Sequence, residues 1–139
     1  MIDLSTEFGR RAAGHLERDA VVWLTTVGAS GTPAPNPVWF LWDGASSLIV
    51  FSRPNADRVR HLQANPQVSL NFAGDGRGGD IVVLVGVAHP DPDAGGAGTR
   101  PDYLAKYADL MAALGYTAES FAQQYSLPIR ITLTRLRGH

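Results

Sequence analysis

Apolar and polar positions alternate with two different periods along this chain. Phe8, Ala12 and Leu16 recur every fourth residue, which places one apolar stripe on a helix over residues 5–18. Ser5 or Thr6 can cap its start with a hydroxyl, and Asp19 ends it. The period then falls to two. Residues 20–27 open on an unbroken apolar run, which predicts a strand covered on both faces. Pro33, Pro35 and Pro37 lack ladder donors and predict an edge. From Val38 to Trp42 the strand continues, with Val38, Phe40 and Trp42 facing one way and Trp39 and Leu41 the other. A turn at residues 43–46 leads to a third strand over residues 47–53.

The second half repeats this grammar. Residues 54–64 predict a helix capped by Asn55 and stopped by Asn65-Pro66. Residues 67–73 alternate, with Val68, Leu70 and Phe72 inward. A flexible glycine hairpin (residues 74–79) leads to a buried strand over residues 80–89, where Gly86 marks a bulge or a close backbone approach. Residues 90–98 predict a mobile loop. Thr99 then caps a helix beginning at Pro101, with Tyr103, Tyr107, Leu110, Met111 and Leu114 as its stripe and Gly115 as its end. Thr117 caps a short helix through Tyr125, and residues 128–136 form the last strand. Strand–turn–strand spacing dominates. The expected class is mainly β (α+β): six antiparallel strands closed into a barrel or packed as a sandwich, with flanking helices.

Composition narrows the function more than the fold. The 139 residues fit one domain, 1–139. A formal net charge of −1 disfavours a general nucleic-acid partner. There is no cysteine, so disulfides, thiolate metal sites and cysteine nucleophiles are excluded, and a cytoplasmic location is expected. No signal-peptide pattern opens the sequence and no apolar run is long enough to span a membrane. The four histidines are scattered, at 15, 61, 89 and 139, with no metal-ligand spacing, so no metal site is expected; His15 and His61 read as surface helix residues. No hydrolase, zinc-protease or phosphate-loop signature occurs, and no catalytic side chain can be named.

Chemistry concentrates between Asn36 and Pro66. Ser52 and Arg53 end a strand just before a helix that carries Arg58 and Arg60. Backbone amides at a helix start together with guanidinium groups suit an anion such as phosphate, although a solvated basic face has the same composition. Trp39, Phe40 and Trp42 are either core or the walls of an apolar slot for a planar ring.

Read in order, Pro37-Val38-Trp39-Phe40, Trp42-Asp43-Gly44, Ser52-Arg53, Arg58 and Asn65-Pro66-Gln67-Val68-Ser69-Leu70 resemble the pyridoxamine 5'-phosphate oxidase-like split β-barrel family. Within it they are similar to the actinobacterial branch of flavin- or coenzyme F420 (deazaflavin)-dependent oxidoreductases. The resemblance implies a split β-barrel and a homodimer with its cofactor at the subunit interface. It implies cofactor contacts from Asn36, Pro37, Val38 and Trp39, from Phe51, Ser52 and Arg53 along the cofactor, and from Arg58 at its phosphate. In the family the position seven residues before Asn-Pro is commonly lysine; here it is Arg58. The implied activity is hydride transfer from coenzyme F420 to a small unsaturated or quinone-like substrate stacked near Trp39. FMN is the alternative cofactor, and a non-catalytic haem (tetrapyrrole) or flavin binder is the alternative role. Substrate-phosphate recognition of the pyridoxamine phosphate type has only a loose echo, in residues 135–139.

Overall fold

The computed structural model describes residues 2–139. Helix α1 (Glu7–Arg18) begins where the Thr6 hydroxyl accepts the Gly9 N–H at 2.9 Å, and it ends at Asp19. Ala12 and Leu16 are buried in the core, with Phe8 packed beside them. Seven strands follow: β1 (Val21–Val27), β2 (Pro33–Trp39), β3 (Leu41–Trp42), β4 (Ser47–Ser52), β5 (Gln67–Asn71), β6 (Val82–Pro90) and β7 (Leu127–Gly138). They form one antiparallel sheet in the order β2-β1-β5-β6-β7-β4-β3.

The count is seven rather than six because the strand expected through residues 38–42 breaks at Phe40. β2 and β3 are the two edges of the sheet, yet Phe40 alone separates them in sequence. The sheet therefore curls until its edges meet, giving an α+β split barrel with flanking helices. At the seam the Phe40 backbone has no ladder partner, and α3 (Pro101–Ala113) supplies one. The Tyr107 hydroxyl accepts the Phe40 N–H at 2.9 Å and shares its own proton between the carbonyls of Phe40, at 2.8 Å, and Ala20, at 2.7 Å. Lys106 Nζ donates to the same Phe40 carbonyl at 3.0 Å and sits 3.7 Å from the centre of the Phe40 ring. Buried backbone groups are costly unless paired, so these two side chains are what allow the break. Facing survives the break: Val38 and Phe40 enter the barrel core and Trp42 packs against it, while Trp39 and Leu41 face the other way.

Two expected strands differ in coverage. β1 is not covered on both faces: Val21 and Trp23 are each 40% exposed while Val22 and Leu24 are buried. β6 likewise alternates, with Val82, Leu84 and Ala88 buried. The register shift between Val85 and Gly86 confirms the bulge, and a Cβ on Gly86 would lie 2.8 Å from the Thr132 carbonyl oxygen.

Two helix starts depart from the expected caps. α2 (Asp57–Ala64) begins one turn late, with Ala56 rather than Asn55 at its N-cap and no side-chain cap. α3 starts at Pro101 behind Arg100, while the Thr99 hydroxyl donates to Gly96 instead. α1 and α4 (Ala118–Gln124) keep the caps expected of them, α4 with a reciprocal capping box between Thr117 and Ser120. Residues 90–98 are structured, containing the 3₁₀ turns Pro92–Ala94 and Ala97–Thr99, with Ala97 fully buried. The glycine hairpin is organised by Asp75, whose carboxylate accepts the N–H groups of Arg77 and Gly79. No helix among the described residues is long and apolar enough to cross a membrane.

A second apolar cluster lies outside the barrel. There Ile49 and Phe51 from β4 meet Tyr103, Tyr107 and Met111 from α3 and Phe121 from α4. Burying each large side chain contributes about 1.5–3 kcal/mol, which fastens the α3–α4 pair to the sheet. That attachment creates the cavity described next.

Candidate functional site: a cavity between the sheet and the α3–α4 pair

The cavity occupies about 390 Å³. Its floor is Pro37, Val38 and Trp39 from β2 with Phe51 from β4. Leu114, Tyr116, Phe121 and Tyr125, from the α3–α4 pair and its connections, make the opposite wall. Arg53, Ala56 and Arg58 close one end. β2 and β4 lie at opposite margins of the sheet, so it is the closure of the barrel at Phe40 that brings floor and end together.

Of the eight residues expected at a cofactor, six line this space: Pro37, Val38, Trp39, Phe51, Arg53 and Arg58. Ser52 stands one layer behind. It is fully buried, and its Oγ accepts Arg58 Nη1 at 3.0 Å while donating to the Arg53 carbonyl at 3.0 Å. Asn36 is exposed on the edge strand and does not line the cavity. Arg60, the other arginine of α2, turns to Asp57 at 2.9 Å on the surface.

The electrostatics are one-sided. No lining residue is acidic. Arg58 is half-buried, and burial pushes its guanidinium below the ordinary value; the nearby Tyr125 phenol works weakly the other way. Among the described residues no carboxylate pairs with it, so its charge is held by position beside Ser52 rather than by a counter-ion. Arg53 reaches the Tyr125 hydroxyl at 3.4 Å and lies 5.2 Å from the centre of that ring. A buried cation without a partner favours an anionic ligand, because binding one recovers the lost solvation.

The apolar half of the cavity is aromatic and already ordered. Trp39 stacks on Tyr107 at 4.6 Å and 6° and on Phe121 at 5.3 Å and 16°. Phe121 stacks in turn on Tyr125 at 4.6 Å and 22°. Trp39 is therefore set by α3 and α4 before any ligand arrives. The wall residues Leu114, Tyr116, Phe121 and Tyr125 were not foreseen. Their one signal in the sequence is the density of aromatics between residues 103 and 125, which has an equally good reading as helix core.

Outside the cavity two of the histidines have side-chain partners. His15 contacts Asp19 at 2.7 Å and Asp80 at 2.9 Å, and His61 Nδ1 is 2.8 Å from the Thr26 hydroxyl. Neither is a free surface side chain. No cluster of three metal-ligating side chains occurs among the described residues.

A curled antiparallel sheet split at one seam, with a cationic and aromatic cavity along the split, defines the class of split β-barrels. The sequence matches the pyridoxamine 5'-phosphate oxidase family over residues 8–136, and the chain belongs to that family. No curated protein matches it in sequence. Solved structures similar to it include an F420 reductase, 24% identical over 89% of this chain and 94% of that one, with a TM-score of 0.63. A conserved hypothetical protein from Mycobacterium tuberculosis is 20% identical over 95% of this chain and 82% of its own, with a TM-score of 0.70. HutZ, the haem storage protein from Vibrio cholerae, is 18% identical over 98% and 94%, with a TM-score of 0.60. At these identities the likeness concerns the fold.

Proposed function

We propose that this chain is an oxidoreductase that binds coenzyme F420 in the cavity and serves hydride transfer to a small unsaturated or quinone-like substrate, with FMN as the alternative cofactor of the same site. One observation carries the reading. A half-buried arginine with no carboxylate partner ends a cavity whose floor and wall are aromatic and whose lining contains no acid. That donor set suits a planar ring bearing a phosphate: Arg58 and Arg53 would hold the phosphate, with Ser52 fixing Arg58, and Pro37 to Trp39 would lie along the ring. Such a cofactor, when bound, supplies the hydride chemistry. The chain's own part is to orient the ring, exclude water with Phe121 and Leu114, and keep the anion at one end. A haem would find no imidazole, thiol or thioether among these lining residues to hold its iron, only the phenols of Tyr116 and Tyr125.

A second copy of this chain belongs to the reading. Pro37 of the cavity floor is the register partner of the exposed Trp23, and the same row continues through Asn71 to Val83. A homodimer covering that row would cover Trp23 and complete the open side of the cavity.

Parallel titration of the apo protein with FMN, coenzyme F420 and haemin, read by tryptophan quenching, tests the assignment. Saturable quenching by a deazaflavin or flavin is expected, and no saturation with any of the three would refute it. Arg58→Ala should weaken binding of the phosphate-bearing cofactor by about 1–3 kcal/mol. An unchanged affinity would remove Arg58 from the site.

A further inference from the structure

A second cavity lies on the exposed face of α1, and the cofactor reading makes no use of it. It occupies about 540 Å³. Arg10, Arg11, Gly14, His15 and Arg18 line it from α1, and Asp80 meets them from the turn before β6. It shares no residue with the cavity under the α3–α4 pair. Three arginines here face one carboxylate side chain, which is already engaged. Asp80 Oδ1 takes Arg11 at 2.6 Å, and Asp80 Oδ2 takes His15 at 2.9 Å. Asp19, at the end of α1, is held by His15 at 2.7 Å. Among the described residues no carboxylate pairs with Arg10 or Arg18. The whole chain carries a formal charge of −1, so this positive excess is local. Like charges on one face repel, and an anion between them removes that cost.

The backbone is built around these side chains. Gly14 stands in the interior of α1, where glycine weakens a helix. A Cβ there would lie 2.8 Å from Arg18 Nη2 and 3.2 Å from Arg18 Nη1. Arg18 therefore folds back over the bare backbone of residue 14, one turn nearer to Arg10 and Arg11. Asp80 is the one non-glycine residue with positive φ among the described residues, at 52°. A side chain is rarely held in that region, and this one orders Arg11 and His15 at the cavity.

We infer that this face of α1 is a binding site for an oligophosphate, either free or carried by a nucleotide. Arg10 and Arg18 stand about two turns apart, roughly 12 Å along the helix axis. A single phosphate ion cannot engage the whole row, whereas a chain of phosphates brings a negative charge to each guanidinium in turn. Guanidinium suits such a ligand, since its planar fork pairs two N–H groups with two phosphate oxygens. Arg11 keeps Asp80, which leaves Arg10 and Arg18 as the donors that the ligand takes.

Calorimetric titration of the full chain with orthophosphate, pyrophosphate and tripolyphosphate at low salt tests this. Saturable binding is expected, tightening as the phosphate chain lengthens and weakening as added salt screens the pairs. The double variant Arg10→Gln/Arg18→Gln should weaken tripolyphosphate by about tenfold or more, the scale of one charge-assisted hydrogen bond. Gly14→Ala should weaken it too, by displacing Arg18, although alanine is the better helix former. Arg60→Gln, which removes an exposed arginine paired with Asp57, should leave it unchanged. ATP in place of tripolyphosphate separates the two sources: equal affinity assigns the phosphate chain alone, and tighter ATP assigns a nucleotide. Absence of saturation overturns the proposal, as does one affinity for all three phosphates, which is charge screening only. An unaltered affinity in the double variant or in Gly14→Ala overturns it as well. Loss of binding in Arg58→Ala, with the double variant still binding, would place the anion in the other cavity and overturn it. No cofactor enters these titrations, so their failure leaves the cofactor reading standing.

Discussion

Arg58 and His15 are half-buried basic groups partnered in opposite ways. Arg58 has a hydroxyl beside it and no carboxylate, which leaves its charge available to a ligand. His15 has two carboxylates, Asp19 on Nδ1 and Asp80 on Nε2, and its ring stacks on Phe72 at 5.1 Å. Arg11 joins the same network at 2.6 Å from Asp80. Burial alone would lower the His15 imidazole, but the two carboxylates outweigh it and raise it above 6.5. A histidine whose folded value is raised binds its proton more tightly when folded. Its stabilisation is complete below the unfolded value and is lost as pH climbs through the raised folded value. His15→Gln should therefore lower the Tm most just below pH 6.5, and the gap to wild type should close as the solution becomes alkaline. Thermal melts across that range check it; a gap that does not vary with pH would assign His15 a packing role only.

At the scale of elements, what could be read from the sequence was what local chemistry controls. Gly86 is the clearest case. A glycine inside an apolar strand run predicted a bulge or a close approach, and both occur, because Thr132 and Ile131 of β7 occupy the space a Cβ would need. Gly86→Ala should cost about 1–3 kcal/mol in urea denaturation, the scale of overpacking against a backbone that must shift. Gly96→Ala, with open space around it and a φ of −89°, should stay within about 0.5 kcal/mol and serves as the control. The caps at Asn55 and Thr99 misled because a good capping residue says that a helix starts nearby, not which turn the tertiary packing keeps. The break at Phe40 was illegible for a different reason. The groups that permit it, Tyr107 and Lys106, lie more than sixty residues away. The cavity shares that property: its cationic end came from a contiguous stretch, whereas its α4 wall depends on where residues 116–125 come to rest.

For the whole molecule the feature with most consequence is the exposed side of the sheet. β1 was expected to be covered on both faces, and the apolar side chains that led to that expectation are present but uncovered here. The homodimer proposed above gives them a partner. Sedimentation should find wild type as a dimer and Trp23→Glu as a monomer, because a charge would then be buried without a counter-ion in the interface. Trp23 does not line the cavity, so weaker cofactor binding by Trp23→Glu would show that the second subunit completes the site. A wild-type monomer, or a dimeric Trp23→Glu, would refute the arrangement.

The seam at Phe40 also bears on how this chain folds. β1–β2, β3–β4 and β5–β6 are each local antiparallel pairs, whereas β7 must join β6 on one side and β4, some eighty residues earlier, on the other. Loop closure over that distance is the slow entropic step, so β7 is expected to dock last. Until it does, α3 and α4 have no barrel to lie against, and neither the seam nor the cavity exists. A ligand of this cavity would then recognise the finished chain and no earlier species, and would slow its unfolding rather than speed its folding.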